Sequence, residues 1–188
     1  MKKLVVILLA LFAGLGVADA QDNSSWFGRH DFEMWESYVQ YVPIAADLAL
    51  SLCGVETDRR FLSVVVAASA GAVAHYGICQ GLKYAVNEPR PDGGEHSFPS
   101  GHTATAFLGA ELVRSHYGWG WGAGAYCAAT AVGVARVVHQ RHYWWDVAAG
   151  AVIGIGSAHI GNLVSDWLIT PSVDPVSGTP TLAFCYTF

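Results

Sequence analysis

The chain has 188 residues, of which 53% are apolar and only 13% charged, with a formal net charge of −5. That length allows one domain with a sizeable core, and a charge content well below the roughly 25% of soluble domains points to a membrane-embedded or membrane-associated helical protein. The acidic balance excludes a nucleic-acid binder, which needs a basic face.

Residues 1–20 read as a bacterial export signal. Lys2 and Lys3 precede an apolar run from Leu4 to Val17, and Ala18-Asp19-Ala20 forms a small-x-small cleavage site before Gln21. The run is shorter than the ~20 residues of a usual span, so cleavage is expected. Retention would make it a first membrane anchor, and either outcome starts the following chain on the outer side of the cytoplasmic membrane. A polar, aromatic lead-in (Asp22 to Glu36) follows.

Five mostly apolar stretches come next, at about 38–55, 61–82, 101–117, 120–138 and 143–168. Their Ala, Gly, Val and Leu content suits close helix packing in a bilayer, and small residues recur at four-residue spacing in Gly150, Gly154 and Ala158. An all-α bundle of five to six helices is therefore expected, membrane-embedded, occupying residues 21–170. Polar residues inside the stretches (His75, Gln80, Glu111, Arg114, His159, Asn162) leave a soluble helical bundle open. Arg59, Arg60 and Arg114 fall in or near turns that the positive-inside tendency assigns to the cytoplasm. The opposite turns, with Lys83, Arg90 and Arg141, then face outward, so these cations need another reason to be there. Trp119, Trp121, Trp144 and Trp145 sit at predicted helix ends, as interfacial aromatics do.

Residues 171–188 form a tail: Pro171, Pro175, Gly178 and Pro180 predict a loop, and Thr181 to Phe188 alternates as a lone short strand. Cys53, Cys79, Cys127 and Cys185 are widely separated and read as small buried hydrophobes.

Three segments gather the unusual residues. In KYAVNEPRP, Lys83 and Arg90 bracket a helix end, and Pro89 and Pro91 set an extended exit. Two cations at an apolar boundary are costly unless they meet an anion or reach solvent; arginine can grip a phosphate through two parallel hydrogen bonds. In Pro99-Ser100-Gly101-His102, Ser100 reads as a helix N-cap, and a helix N-terminus is a natural anion site. In RVVHQRHYWWD, His142 and Asp146 stand four apart and would share a helix face, with Arg136 one to two turns before them or on the feeding loop. A carboxylate on one ring nitrogen fixes the tautomer and aims the other outward, the arrangement of an oriented nucleophile.

The order K-x6-R-P, P-S-G-H, R-x5-H-x3-D over residues 60 to 168 resembles the signature of the type 2 phosphatidic acid phosphatase superfamily. The resemblance implies an acid-phosphatase-like helical fold, with Lys83, Arg90, Ser100, Gly101 and Arg136 holding phosphate. It implies His142 as nucleophile, Asp146 as its support and His102 as general acid, with no cofactor and no metal. It further implies a phosphorylated lipid as substrate, with the site facing the periplasm from the cytoplasmic membrane, or free in the periplasm if the helices do not span. Candidate substrates are lipid A, undecaprenyl diphosphate, phosphatidic acid and phosphatidylglycerophosphate. The family's third motif usually opens with Ser-Arg, and here Ala135 stands in place of the serine. Membrane members usually have six spans, a number reached here only with the leader retained.

Other readings are a soluble periplasmic acid phosphatase, a vanadium haloperoxidase, a metal-dependent hydrolase on His139, His142 and Asp146, and a non-catalytic phospholipid-binding membrane protein. The sequence leaves the oligomeric state unknown.

Overall fold

The computed structural model describes residues 38–169, 171–173 and 180–182. The leader expected at 1–20 and the lead-in lie outside the described residues. Among the described residues, five helices follow in chain order: α1 (Val42–Leu52), α2 (Phe61–Val86), α3 (Gly101–Tyr117), α4 (Trp119–Val138) and α5 (Trp144–Leu168). Each matches an apolar stretch of the sequence, so the fold is the expected all-helical bundle.

Local chemistry sets the helix ends. Asn87 takes a left-handed conformation (φ 47°) just past α2 and returns its N–H to the Lys83 carbonyl, a common C-terminal stop. Gly118, at φ 76°, is the whole connection between α3 and α4. A side chain there would be strained, so glycine is what permits the hairpin.

Helix α3 is the centre of the bundle, with eleven of its seventeen residues buried, and it packs against the other four helices. Its neighbour α5 approaches closely through small residues. A methyl group added at Gly150 would lie 2.5 Å from the Ser100 carbonyl oxygen, and one at Gly154 would run into the Ala104 carbonyl. Further along, Gly161 faces Ala67 of α2 in the same way. The Gly150/Gly154 spacing read from sequence is thus a packing seam that fixes the start of α3 against the start of α5.

Several polar residues within the bundle are paired with one another. Ser115 Oγ donates to the Leu112 carbonyl and accepts from Asn162 Nδ2, which turns Asn162 Oδ1 toward His116 Nε2 at 2.9 Å. The other His116 nitrogen faces Asp47 Oδ1 at 2.8 Å. Both ring nitrogens of His116 are thus held by polar side chains from α1 and α5. Glu111 is satisfied by Arg114 and by Tyr126 Oη at 2.6 Å. These contacts explain how Glu111, Arg114 and Asn162 enter the apolar stretches.

Two expectations are corrected. The tail is not a loop leading to a lone strand: Pro171–Val173 and Pro180–Leu182 pair antiparallel, with Ser172 opposite Thr181, because backbone groups left by one short strand need a partner. Residues 183–188 of the expected strand lie outside the described residues. Of the cysteines, Cys79 is buried as expected, but Cys53 and Cys127 are exposed free thiols; Cys185 lies outside the described residues.

Candidate active site

The three segments converge at one end of the bundle, where α2 and α4 finish and α3 and α5 begin. Lys83 is in the last turn of α2 and is buried there, its ammonium donating to the His96 carbonyl at 3.0 Å. Beyond it, residues 90–94 close a tight loop in which Arg90 N–H donates to the Gly94 carbonyl (2.8 Å) and Gly93 N–H to the Arg90 carbonyl (3.0 Å). Arg90 Nε is buried without a hydrogen-bond partner among the described residues. A buried guanidinium donor left over is costly unless an anion completes it.

Ser100 caps α3 as expected, accepting from Thr103 N–H at 3.5 Å. Its hydroxyl lies 2.9 Å from Thr103 Oγ1 and is fully buried. Ser100 N–H donates to the Asp146 carbonyl (3.0 Å), which joins the mouths of α3 and α5. Gly101 and His102 occupy the first turn of α3, partly exposed.

Arg136 is in the last turn of α4, buried, rather than on the helix that carries Asp146. Its carbonyl accepts the N–H groups of Arg141 (3.0 Å) and His142 (3.3 Å), which curls residues 139–142 back over the end of α4. His142 consequently precedes α5 and does not lie on it. The expected pairing along one helix face is instead a pairing across a helix N-terminus: His142 Nδ1 stands 3.4 Å from Asp146 Oδ2, and Asp146 sits in the first turn of α5. Both side chains are buried, His142 at 2% and Asp146 at 0% exposure. The same Asp146 oxygen accepts Tyr143 N–H at 2.9 Å.

The charges of Arg136, Arg90 and Lys83 all bear on the His142 ring, and they bear on His102 together with His142 itself. Burial pushes the His142 imidazole down to about 4; the Asp146 contact opposes this, and the three cations add to it. The ring is therefore neutral at ordinary pH, with Nδ1 turned to the carboxylate and Nε2 available.

Sequence reasoning missed Ser97. It is fully buried, and its hydroxyl donates to Asp146 Oδ2 at 2.5 Å. In the sequence it reads as an ordinary loop serine, and nothing in its spacing marks it. The rim was also unforeseen: Arg141 pairs with Asp92 at 2.9 Å, and Trp145 Nε1 donates to Glu88 Oε1 at 3.2 Å, tying the 88–92 loop to the start of α5. Among the described residues no three His, Cys, Asp or Glu side chains are grouped to hold a metal ion. His139 is exposed at the end of α4, so His139, His142 and Asp146 do not form the ligand set considered from sequence.

The family model of the PAP2 superfamily matches residues 61–169, more than half of the chain and all three segments. The chain belongs to the PAP2 superfamily. Among curated PAP2-like relatives, the chain is 35% identical over 133 residues to a lipid A 1-phosphatase of Porphyromonas gingivalis, covering 68% of this chain and 30% of that protein. It is 32% identical over 92 residues to a probable lipid phosphate phosphatase 4 of Arabidopsis thaliana, covering 42% of this chain and 28% of that protein. The chain thus spans about a third of the length of these relatives. The crystal structure of Aquifex aeolicus LpxE shares the fold, with a TM-score of 0.56 at 23% identity over 81% of this chain and 93% of that one.

Proposed function

We propose that this PAP2 protein is a phosphatase that hydrolyses a phosphate monoester or diphosphate of an envelope lipid through a phosphohistidine on His142. One observation carries the reading: cations from two helix ends and a loop surround a neutral, buried imidazole backed by a buried carboxylate. In the first step His142 Nε2 attacks phosphorus in line, the N–P bond forms as the P–O bond breaks, and His102 gives a proton to the departing oxygen. In the second, water attacks the phosphohistidine, His102 takes the water proton, and phosphate leaves. Lys83, Arg90 and Arg136 offset charge on the equatorial oxygens, and Ser100 and Gly101 present the N-terminal end of α3 to the phosphate. The step needs no cofactor or metal.

A lipid substrate and a membrane setting are supported by the apolar surface. Helices α2 and α5 are long and apolar enough to cross a membrane, and they expose Val73, Ile78, Val152, Ile160 and Leu163. Exposed aromatics stand at both ends of the bundle: Tyr84, Trp144 and Trp145 at the site end, Trp119, Trp121 and Trp167 at the other. Trp144 and Trp167 on α5 are about 35 Å apart at 1.5 Å per residue, close to the two interfaces of a bilayer. Arg59, Arg60 and Arg114 belong to the end away from the site, which favours an outward, periplasmic site. The names of the relatives, lipid A 1-phosphatase and lipid phosphate phosphatase, fit this reading.

The test is phosphate release by detergent-purified protein from lipid A, undecaprenyl diphosphate, phosphatidic acid and phosphatidylglycerophosphate. Turnover on at least one, lost in His142→Ala, is the expected result. Near-normal turnover by His142→Ala would refute the nucleophile assignment, and inactivity on all four would refute the lipid substrate class.

A further inference from the structure

Ser97 lies just upstream of the α3 cap, is fully buried and is hydrogen-bonded on two sides. Its N–H donates to the Glu88 carbonyl at 2.7 Å, so its backbone is fixed to the segment that leads to Arg90. Its hydroxyl reaches across to α5 and donates to Asp146 Oδ2 at 2.5 Å. A serine hydroxyl has a single proton. With that proton directed to Asp146, the oxygen can only present lone pairs to His142 Nδ1, which lies 3.5 Å away. His142 Nδ1 is thus bracketed by two acceptors, Asp146 Oδ2 at 3.4 Å and Ser97 Oγ at 3.5 Å.

We infer that Ser97 is a positioning residue for the nucleophile: its hydroxyl holds the Asp146 carboxylate in the orientation that keeps the His142 proton on Nδ1 and the lone pair on Nε2. This rests on the reading of His142 as nucleophile. The physical reason is charge balance on one oxygen. Asp146 Oδ2 receives donors from Ser97 and from Tyr143 N–H. A carboxylate oxygen carrying two such donors is a poor base and a fixed one, so it orients the imidazole without taking its proton. The link also joins the Arg90 loop to the nucleophile, since Glu88 holds Ser97 through its carbonyl and Trp145 through its carboxylate.

Removing the hydroxyl has two consequences that a packing role would not produce together. The carboxylate keeps the Tyr143 N–H and the His142 Nδ1–H but loses its shortest donor, the one that ties it to the Ser97 segment, and can swing together with the ring, so kcat falls while KM, set by Lys83, Arg90 and Arg136, stays nearly constant. The less neutralised carboxylate also favours the protonated imidazole, which raises the acid limb of the rate profile. The groups facing His142 are otherwise unchanged: Asp146, Arg136, Arg90, Lys83 and His102.

The experiment measures kcat, KM and the pH dependence of kcat/KM for wild type, Ser97→Ala, Ser97→Cys and His142→Ala on one lipid phosphate. The expected result for Ser97→Ala is a kcat lower by about 10- to 100-fold, KM within about threefold, and an acid limb raised by about one pH unit. Ser97→Cys, with a weak donor of similar size, falls between. A Ser97→Ala enzyme within twofold of wild type overturns the inference, as does a loss of kcat with the acid limb unmoved, which is the mark of packing damage alone. If Ser97→Ala does not fold, Ser97→Cys carries the same test at smaller amplitude. Activity retained by His142→Ala defeats the nucleophile reading itself, whereas an inactive His142→Ala beside a normal Ser97→Ala defeats only the role of Ser97.

Discussion

Substituting His142→Gln removes a titrating ring that the fold keeps neutral, and this makes its burial measurable without any substrate. An exposed histidine in the unfolded chain titrates near 6.5, and in the folded site His142 is pushed down to about 4, by burial first and then by Arg136, Arg90 and Lys83. Between those values the unfolded chain binds a proton that the native site refuses, so stability is greatest above pH 6.5 and falls as the pH drops toward 4. From pH 7.5 to pH 5 the linkage amounts to about 2 kcal/mol for a group shifted this far. Holding the lower limit at pH 5 keeps the carboxylates largely outside the window. The assay is thermal unfolding in detergent of wild type and His142→Gln at the two pH values. Wild type should lose about 2 kcal/mol more than the variant, a difference of about 4–8 °C in midpoint for a domain of this size. A phosphate analogue added to wild type should shrink the difference, because a bound dianion offsets the three cations. Parallel pH dependence for the two proteins would mean that residue 142 accepts a proton as readily folded as unfolded, and the cationic cup would not exist.

Arg136→Ala should lower kcat by about 10²–10³, the usual effect of deleting one donor to a developing oxyanion, with Arg136→Lys recovering part of it; steady-state kinetics on an active lipid decides. Gly150→Ala should destabilise by about 1–3 kcal/mol and also depress activity, because its methyl would meet the Ser100 carbonyl 2.5 Å away at the mouth of α3. Gly156→Ala on the same helix meets nothing within 4 Å and should be neutral or slightly stabilising, so equal unfolding shifts in the two variants would refute the packing seam. Activity should survive EDTA in full, and a rapid alkaline quench with a ³²P-labelled substrate should leave base-stable label on His142 that later acid treatment releases; EDTA inactivation reversed by a divalent ion would refute the metal-free step.

Much of the fold was legible because its helices are nearly continuous apolar runs. The stretch expected at 101–117 is α3 to the residue, since a serine cap opens it and a glycine closes it. The stretch expected at 61–82 runs on to Val86, which puts Lys83 inside the last turn of α2 and not beyond it. Apolar periodicity could not see that extension, because a lysine can end a helix or stay within one.

The candidate site was legible in its residue types and not in its connections. Asp146 and His142 are four apart, and spacing alone suggested one helix face. The chain breaks helix at Gln140, whose φ is 56°, so the pair meets around the start of α5 instead. Ser97 was invisible because its partner lies 49 residues away in sequence.

By itself the sequence determined the all-helical class, the order of the cationic, helix-capping and imidazole segments, and the membership that those segments carry, because each depends on residues close together in the chain. The tertiary structure decided which end of the bundle gathers the cations, which carboxylate oxygen faces the imidazole, and which serine holds that oxygen. These are set by glycine-mediated contact between α3 and α5, a matter of two helix surfaces meeting, and no local pattern of residues encodes it.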